Sequence, residues 1–239
     1  MKKLIFLLPM VLLLSSCDQA TLQRTLETVL NDGSSLSDSQ ISSGLKEALT
    51  VGIGKGVTVL SAKDGYFKSQ YKILLPPEAR KVTDKLKNVP GFAQVEDIIL
   101  EKINRGAEDA ATRAKPIFVD AIRSMTFTDA RNILFGSDNA ATQFLNKATY
   151  NKLYQEFNPV IVSSLDKFQA RKYWSDAVNT YNKIPFVEKA NPDLDDYVTT
   201  EALGGLFSMV EKEEINIRNN IQARTTDILK RVFAAQDNR

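Results

Sequence analysis

Apolar residues recur at helical spacing along almost the whole chain. Nowhere do they alternate with polar ones for long enough to make a half-buried strand. That property restricts the fold to packed helices. The clearest case is Phe92 to Arg113, where Val95, Ile98, Ile99, Ile103, Ala107 and Ala110 share one face. A helix opening at Asp38 as its cap aligns Ile41, Leu45, Ala48, Leu49, Gly52, Gly56 and Leu60. Asp64-Gly65 reads as a turn, and Ile73-Leu74-Leu75-Pro76-Pro77 as extended chain. Further helices are expected over Glu78–Leu86, around Pro116 as far as Met125, from a Thr128 cap to Leu134, and over Asn139–Asn146. Others run from Thr149 to near Phe168, over Arg171–Tyr181, and from Asn191-Pro192-Asp193 towards Glu214. Thr225-Thr226-Asp227 opens the last, with Ile228, Leu229, Val232 and Phe233 as its buried stripe. No solenoid period is apparent. The expected fold is all-α, a compact multi-helix globular bundle with short connections.

The amino end has a different grammar. Lys2-Lys3 precedes an apolar run from Leu4 to Leu14, and Leu14-Ser15-Ser16-Cys17 follows. Eleven apolar residues make a helix of roughly 16 Å, about half a bilayer's hydrocarbon thickness. Pro9 weakens the run further as a permanent span. The pattern is that of a secretion signal, and its last four residues resemble the bacterial lipobox. The resemblance implies that Cys17 is lipidated through sulfur, that the chain is cut before it, and that the new amine is acylated, with palmitate among the chains. The expected organisation is a signal peptide over 1–16, then a lipidated N-terminus, short helix (Ala20 to Leu30) and tether over 17–37. A helical domain over 38–239 completes it. Membrane contact is expected through the lipid on Cys17, placing the protein at the bacterial cell envelope and facing the periplasm. Asp18 leaves the choice of inner or outer membrane open.

Composition excludes several chemistries. Loss of the signal removes Lys2 and Lys3 and brings 31 basic against 29 acidic residues to parity. A neutral body has no electrostatic case for nucleic acid. Apolar content of 43% with 25% charged residues suits a globule rather than a disordered chain. With one cysteine there is no internal disulfide. With no histidine, the common catalytic triads and most zinc sites are out of reach. No cofactor and no metal site is expected.

Apparent motifs fail on inspection. Gly52, Gly54 and Gly56 surround Lys55, but no strand precedes them and Gly56 follows the lysine, so they read as small residues at a helix contact. Ser43 with Lys46, Ser69 with Lys72 and Ser164 with Lys167 echo penicillin-interacting enzymes, as does Ser137-Asp138-Asn139. No Lys-Thr-Gly accompanies them. Asn191, Asp193, Asp195 and Asp196 lack the glycine and glutamate of a calcium loop, and Asp193 reads as a helix cap. Glu101, Asn104, Arg105 and Glu108 share a helix face, either structurally paired or solvated, or else flanking a cleft.

The chain is similar to a family known only as DUF4197, from about Leu45 to Phe233. The similarity lies in Leu45-Lys46-Glu47-Ala48-Leu49, Asn104-Arg105-Gly106-Ala107-Glu108, Pro116-Ile117-Phe118-Val119-Asp120-Ala121-Ile122 and Asp129-Ala130-Arg131-Asn132-Ile133-Leu134. It continues in Ala140-Ala141-Thr142, Leu194-Asp195-Asp196-Tyr197-Val198-Thr199, Gly205-Leu206-Phe207, Ile217-Arg218 and Ala223-Arg224-Thr225-Thr226. Gly106 stands where the family commonly has alanine, and Asn220-Ile221 replaces a usual proline. The resemblance implies no activity. It implies that Asn104, Arg105 and Glu108 are drawn together with Asp129, Asp138, Arg218 and Arg224, and buried charges among them would need mutual pairing. The expected role is a non-enzymatic binding or scaffolding module whose protein, glycan or lipid partner is unspecified. The alternatives are a glycan hydrolase using Glu101 or Glu108 as acid and a lipid carrier with a pocket between helices.

Overall fold

The structure, a computed structural model, describes residues 36–190 and 193–237. The expected signal peptide, Cys17, the helix over Ala20–Leu30 and most of the tether lie outside the described residues, as do Asn191 and Pro192. The described residues form nine α-helices, one 3-10 turn and no strand. The helices are α1 (Asp38–Ser61), α2 (Pro77–Leu86), α3 (Val95–Ala111), α4 (Ala114–Ser124) and α5 (Phe127–Leu134). Then come α6 (Ala140–Lys167), α7 (Ala170–Tyr181), α8 (Asp195–Asn219) and, after a 3-10 turn at Ile221–Ala223, α9 (Asp227–Asp237). The all-α expectation holds.

Two long helices organise the packing. α6 lies against α8, α3 and α4, and α1 lies against α5, α8, α9 and α4. The expected stripe of α1 is buried throughout: Ile41, Leu45, Ala48, Leu49, Gly52, Gly56 and Leu60 all face the core. Leu145, Leu153, Phe157, Ile161 and Leu165 do the same for α6. Phe118 of α4 meets Phe207 of α8 edge-on, with ring centroids 5.7 Å apart.

The helix expected over Phe92–Arg113 is shorter at both ends, Val95–Ala111, and three other boundaries differ from the sequence expectation for a local reason. The segments expected over Asn139–Asn146 and from Thr149 are one helix. Lys147-Ala148 between them favours helix, and the Thr149 hydroxyl donates to the Leu145 carbonyl at 2.6 Å instead of capping a new start. α5 is capped by Thr126 rather than Thr128. Thr126 Oγ1 accepts from the Asp129 N–H, and Asp129 Oδ2 accepts from the Thr126 N–H at 2.9 Å, a reciprocal capping box. α8 starts at Asp195, where Asp193 Oδ1 accepts the Asp195 N–H at 2.9 Å, and it continues past Glu214 to Asn219.

The glycines of α1 are not equivalent. A Cβ at Gly44 would lie 2.6 Å from Val232 Cγ2, and one at Gly56 would lie 2.9 Å from Met209 Cγ, so α9 and α8 approach α1 closely there. A Cβ at Gly54 meets nothing within 4 Å. Gly54→Ala is therefore expected to raise stability by about 0.5–1 kcal/mol through helix propensity. Gly44→Ala, against a stiff and buried Val232, is expected to lower it by about 1–3 kcal/mol. Urea midpoints of the two variants beside wild type check both signs.

Candidate functional site

The site is built where α1 ends. Asp64 adopts a left-handed φ of 70°, which aspartate tolerates better than bulky residues. Gly65 follows so close to the helix end that a Cβ there would sit 2.3 Å from the Val59 carbonyl oxygen. This tight reversal sends Tyr66 into the core, where its hydroxyl donates to the Ala202 carbonyl of α8 at 2.8 Å. Burial pushes the phenol up, with the nearby Glu108 charge adding to the effect. A Cβ at Gly205 would lie 2.9 Å from the Tyr66 ring, so that glycine makes room for it.

The same turn aims two backbone N–H groups at α3. Glu108 Oε1 accepts from the Tyr66 N–H at 3.2 Å and the Phe67 N–H at 3.1 Å. Its Oε2 accepts from Arg105 Nη1 at 2.8 Å. Arg105 Nη2 donates to Asp64 Oδ1 at 2.8 Å and, more weakly, to Glu101 Oε1 at 3.4 Å. The guanidinium also lies 5.1 Å from the centre of the Phe67 ring. Partial burial would lower the guanidinium's proton affinity, but the bonds to Glu108 and Asp64 outweigh it and raise the pKa. One turn earlier, Asn104 is fully buried. It holds the extended segment by accepting the Ile73 N–H at 2.8 Å and donating to the Ile73 carbonyl at 2.9 Å. Of the two roles considered for this face, structural pairing is what Asn104 and Glu108 have.

Arg218 and Arg224 belong to a different network. Glu214 and Arg218 share one turn of α8, joined at 2.8 Å and almost wholly buried. Glu214 accepts the Ala141 and Thr142 N–H groups at the start of α6, at 2.9 and 2.8 Å. Arg218 donates to the Ile133 and Leu134 carbonyls at the end of α5. Each charge thus faces the complementary end of a helix dipole. Arg224 donates to the Ile217 and Arg218 carbonyls, closing the end of α8, and pairs with Asp237.

The seven residues expected to converge therefore do not. Asn104, Arg105 and Glu108 stand with Asp64 at the α1–α3 junction, while Arg218 and Arg224 serve helix ends with Glu214 and Asp237. Asp129 belongs to the α5 capping box, and Asp138 is exposed in the turn before α6. The physical reason is that each buried charge found a nearer partner. Glu214 at i,i+4 to Arg218 was a readable signal. Asp64, forty-one residues from Arg105, carried none. Two of the serines from the serine–lysine pairs are committed elsewhere: Ser164 donates to Asp109 at 2.6 Å, the carboxylate that Lys167 also approaches, and Ser69 donates to the Gly65 carbonyl.

Arg105 is not sealed in. Its side chain keeps 15% exposure at the floor of a cleft of about 490 Å³ between α3 and α7. Lys63, Glu101, Lys102, Phe168 and Tyr173 complete the walls with Ile98. Lys102 Nζ lies 4.9 Å above the Tyr173 ring. Glu101 is 54% exposed at the rim, whereas both Glu108 oxygens are engaged behind the guanidinium. By contrast, the apolar cavity between α1 and α8 is about 20 Å³, room for about one water rather than an acyl chain. Among the described residues no group of acidic or cysteine side chains is placed to hold a metal, and no helix is long and apolar enough to cross a membrane.

The paired carboxylates carry a pH signature. The hydrogen bond from Arg105 holds Asp64 below its ordinary value, Arg224 does so for Asp237, and the Thr126 N–H does so for Asp129. Folded-state values below the unfolded ones contribute stability that is fully present above about pH 4 and lost as pH falls through the depressed values. Asp195 has the opposite sign: burial raises it against the pull of Arg171, so ionising it costs stability as pH rises. Thermal midpoints are expected to fall steadily below about pH 4, and Asp64→Asn should flatten that decline.

A family profile described as a protein of unknown function (DUF4197) matches residues 35–234, and the chain belongs to that family. No curated protein and no solved structure matches it.

Proposed function

We propose that this chain is a lipid-anchored protein of the bacterial cell envelope whose helical body faces the periplasm and binds a partner without turning it over. The observation that carries the binding half is the open Arg105 cleft. Its central cation is held rigidly by carboxylates already committed to that task, and such preorganisation favours holding over chemistry. The hydrolase reading needs a carboxyl with a free oxygen facing a second one. Glu108 offers none, and Glu101 alone at the rim does not make the pair.

The anchoring half rests on Leu14-Ser15-Ser16-Cys17. Two or more acyl chains on Cys17 would hold the body firmly, whereas one would hold it marginally. Metabolic labelling with a fatty-acid probe tests it: label on wild type and none on Cys17→Ser, with the variant released from membranes, is the expected result. Equal fractionation of the two removes the anchor. For the binding half, the protein is isolated from envelopes and examined by native mass spectrometry. A retained partner that Arg105→Ala loses is expected, and a body that emerges bare under all gentle conditions argues against the reading.

A further inference from the structure

We propose that the Arg105 cleft takes a carboxylate-bearing saccharide. The inference rests on the binding reading above and names its ligand class. Two ammonium groups on the cleft wall lack a counterion: neither Lys63 nor Lys102 has a carboxylate within 4 Å among the described residues, although Glu101 and Arg105 lie on the same wall. Lys102 is placed by its seat over Tyr173 rather than by an acid. A monoanion entering here completes charges the protein leaves open.

The rest of the cleft selects what carries that anion. Tyr173 and Phe168, each with a lysine ammonium over one side of its ring, bring two aromatic edges and remaining faces to the cleft, and Ile98 adds an apolar surface, suited to the C–H face of a sugar ring. Glu101, more than half exposed, is an acceptor for hydroxyl groups. A volume of about 490 Å³ is in the range of small-molecule sites. Phosphate is disfavoured on charge. The Arg105 fork is already occupied by Glu108 and Asp64, so either anion would rest on the lysines, and the charge it brings past Glu101 separates the two. A dianion would crowd Glu101.

The test uses the full chain carrying Cys17→Ser, titrated by calorimetry with three probes: a disaccharide containing one uronic acid, its neutral counterpart, and the neutral sugar bearing a phosphate. The uronic disaccharide is expected to bind at least about tenfold tighter than either of the others. Lys102→Gln and Lys63→Gln should each weaken it by about tenfold with unchanged thermal midpoints. Lys85→Gln, on α2 and outside the cleft lining, should leave it unchanged. Equal affinity for the neutral probe, preference for the phosphorylated one, or no binding by a folded protein overturns the proposal. If native mass spectrometry then finds a different ligand that Arg105→Ala loses, the saccharide class falls while the binding reading stands.

Discussion

Arg218→Leu is expected to lower the unfolding free energy by roughly 3–5 kcal/mol, because it strands Glu214 as an unpaired charge in the core. The residue is 2% exposed, and it supplies the bond to Glu214 and those to the Ile133 and Leu134 carbonyls. Removing it leaves two helix-terminal acceptors short of a donor as well. Glu214→Leu should cost a similar amount for the mirror-image reason, since Ala141 and Thr142 then lose their acceptor. The double variant Glu214→Leu/Arg218→Leu should be less damaging than the sum, since buried pairs gain little over apolar substitutes. Urea denaturation with a constant m-value reads all three. Strict additivity would mean that the two side chains act independently.

Glu108→Ala comes next, at about 2–4 kcal/mol. It orphans the Tyr66 and Phe67 N–H groups and leaves Arg105 to Asp64 and the exposed Glu101. Glu108→Gln should fall between Ala and wild type, because an amide oxygen still serves the backbone donors without neutralising the guanidinium. Because Tyr66 bridges to Ala202, hydrogen exchange should quicken at the turn after α1 and around Ala202 before it does in α6. Wild-type exchange in Glu108→Ala at Tyr66 would mean that the turn is held by packing alone.

Most of the helices could be read from the chain because burial follows spacing. Ile41 through Leu60 in α1, and Leu229, Val232 and Phe233 in α9, lie where periodicity put them, whereas Ile228, expected in the same stripe, is only half-buried at the first turn of α9. What misled was competition between local and tertiary hydrogen bonding: Thr149 looks like a cap but serves the Leu145 carbonyl inside a longer helix. The site was half legible. The helical face of α3 put Arg105 and Glu108 together, and Asp64-Gly65 was readable as a turn, but nothing local said that this turn would bring Asp64, Tyr66 and Phe67 against α3. The expected convergence with Arg218 and Arg224 failed because long cations on a helix can satisfy carbonyls at neighbouring helix ends as readily as one another.

The pair on α8 also constrains how this chain can vary in length. Glu214 and Arg218 each address the end of a different helix from a single turn. One residue inserted between them would swing one head group by about 100° and detach either the end of α5 or the start of α6. Descendants of this sequence are therefore expected to keep those four steps along α8 intact.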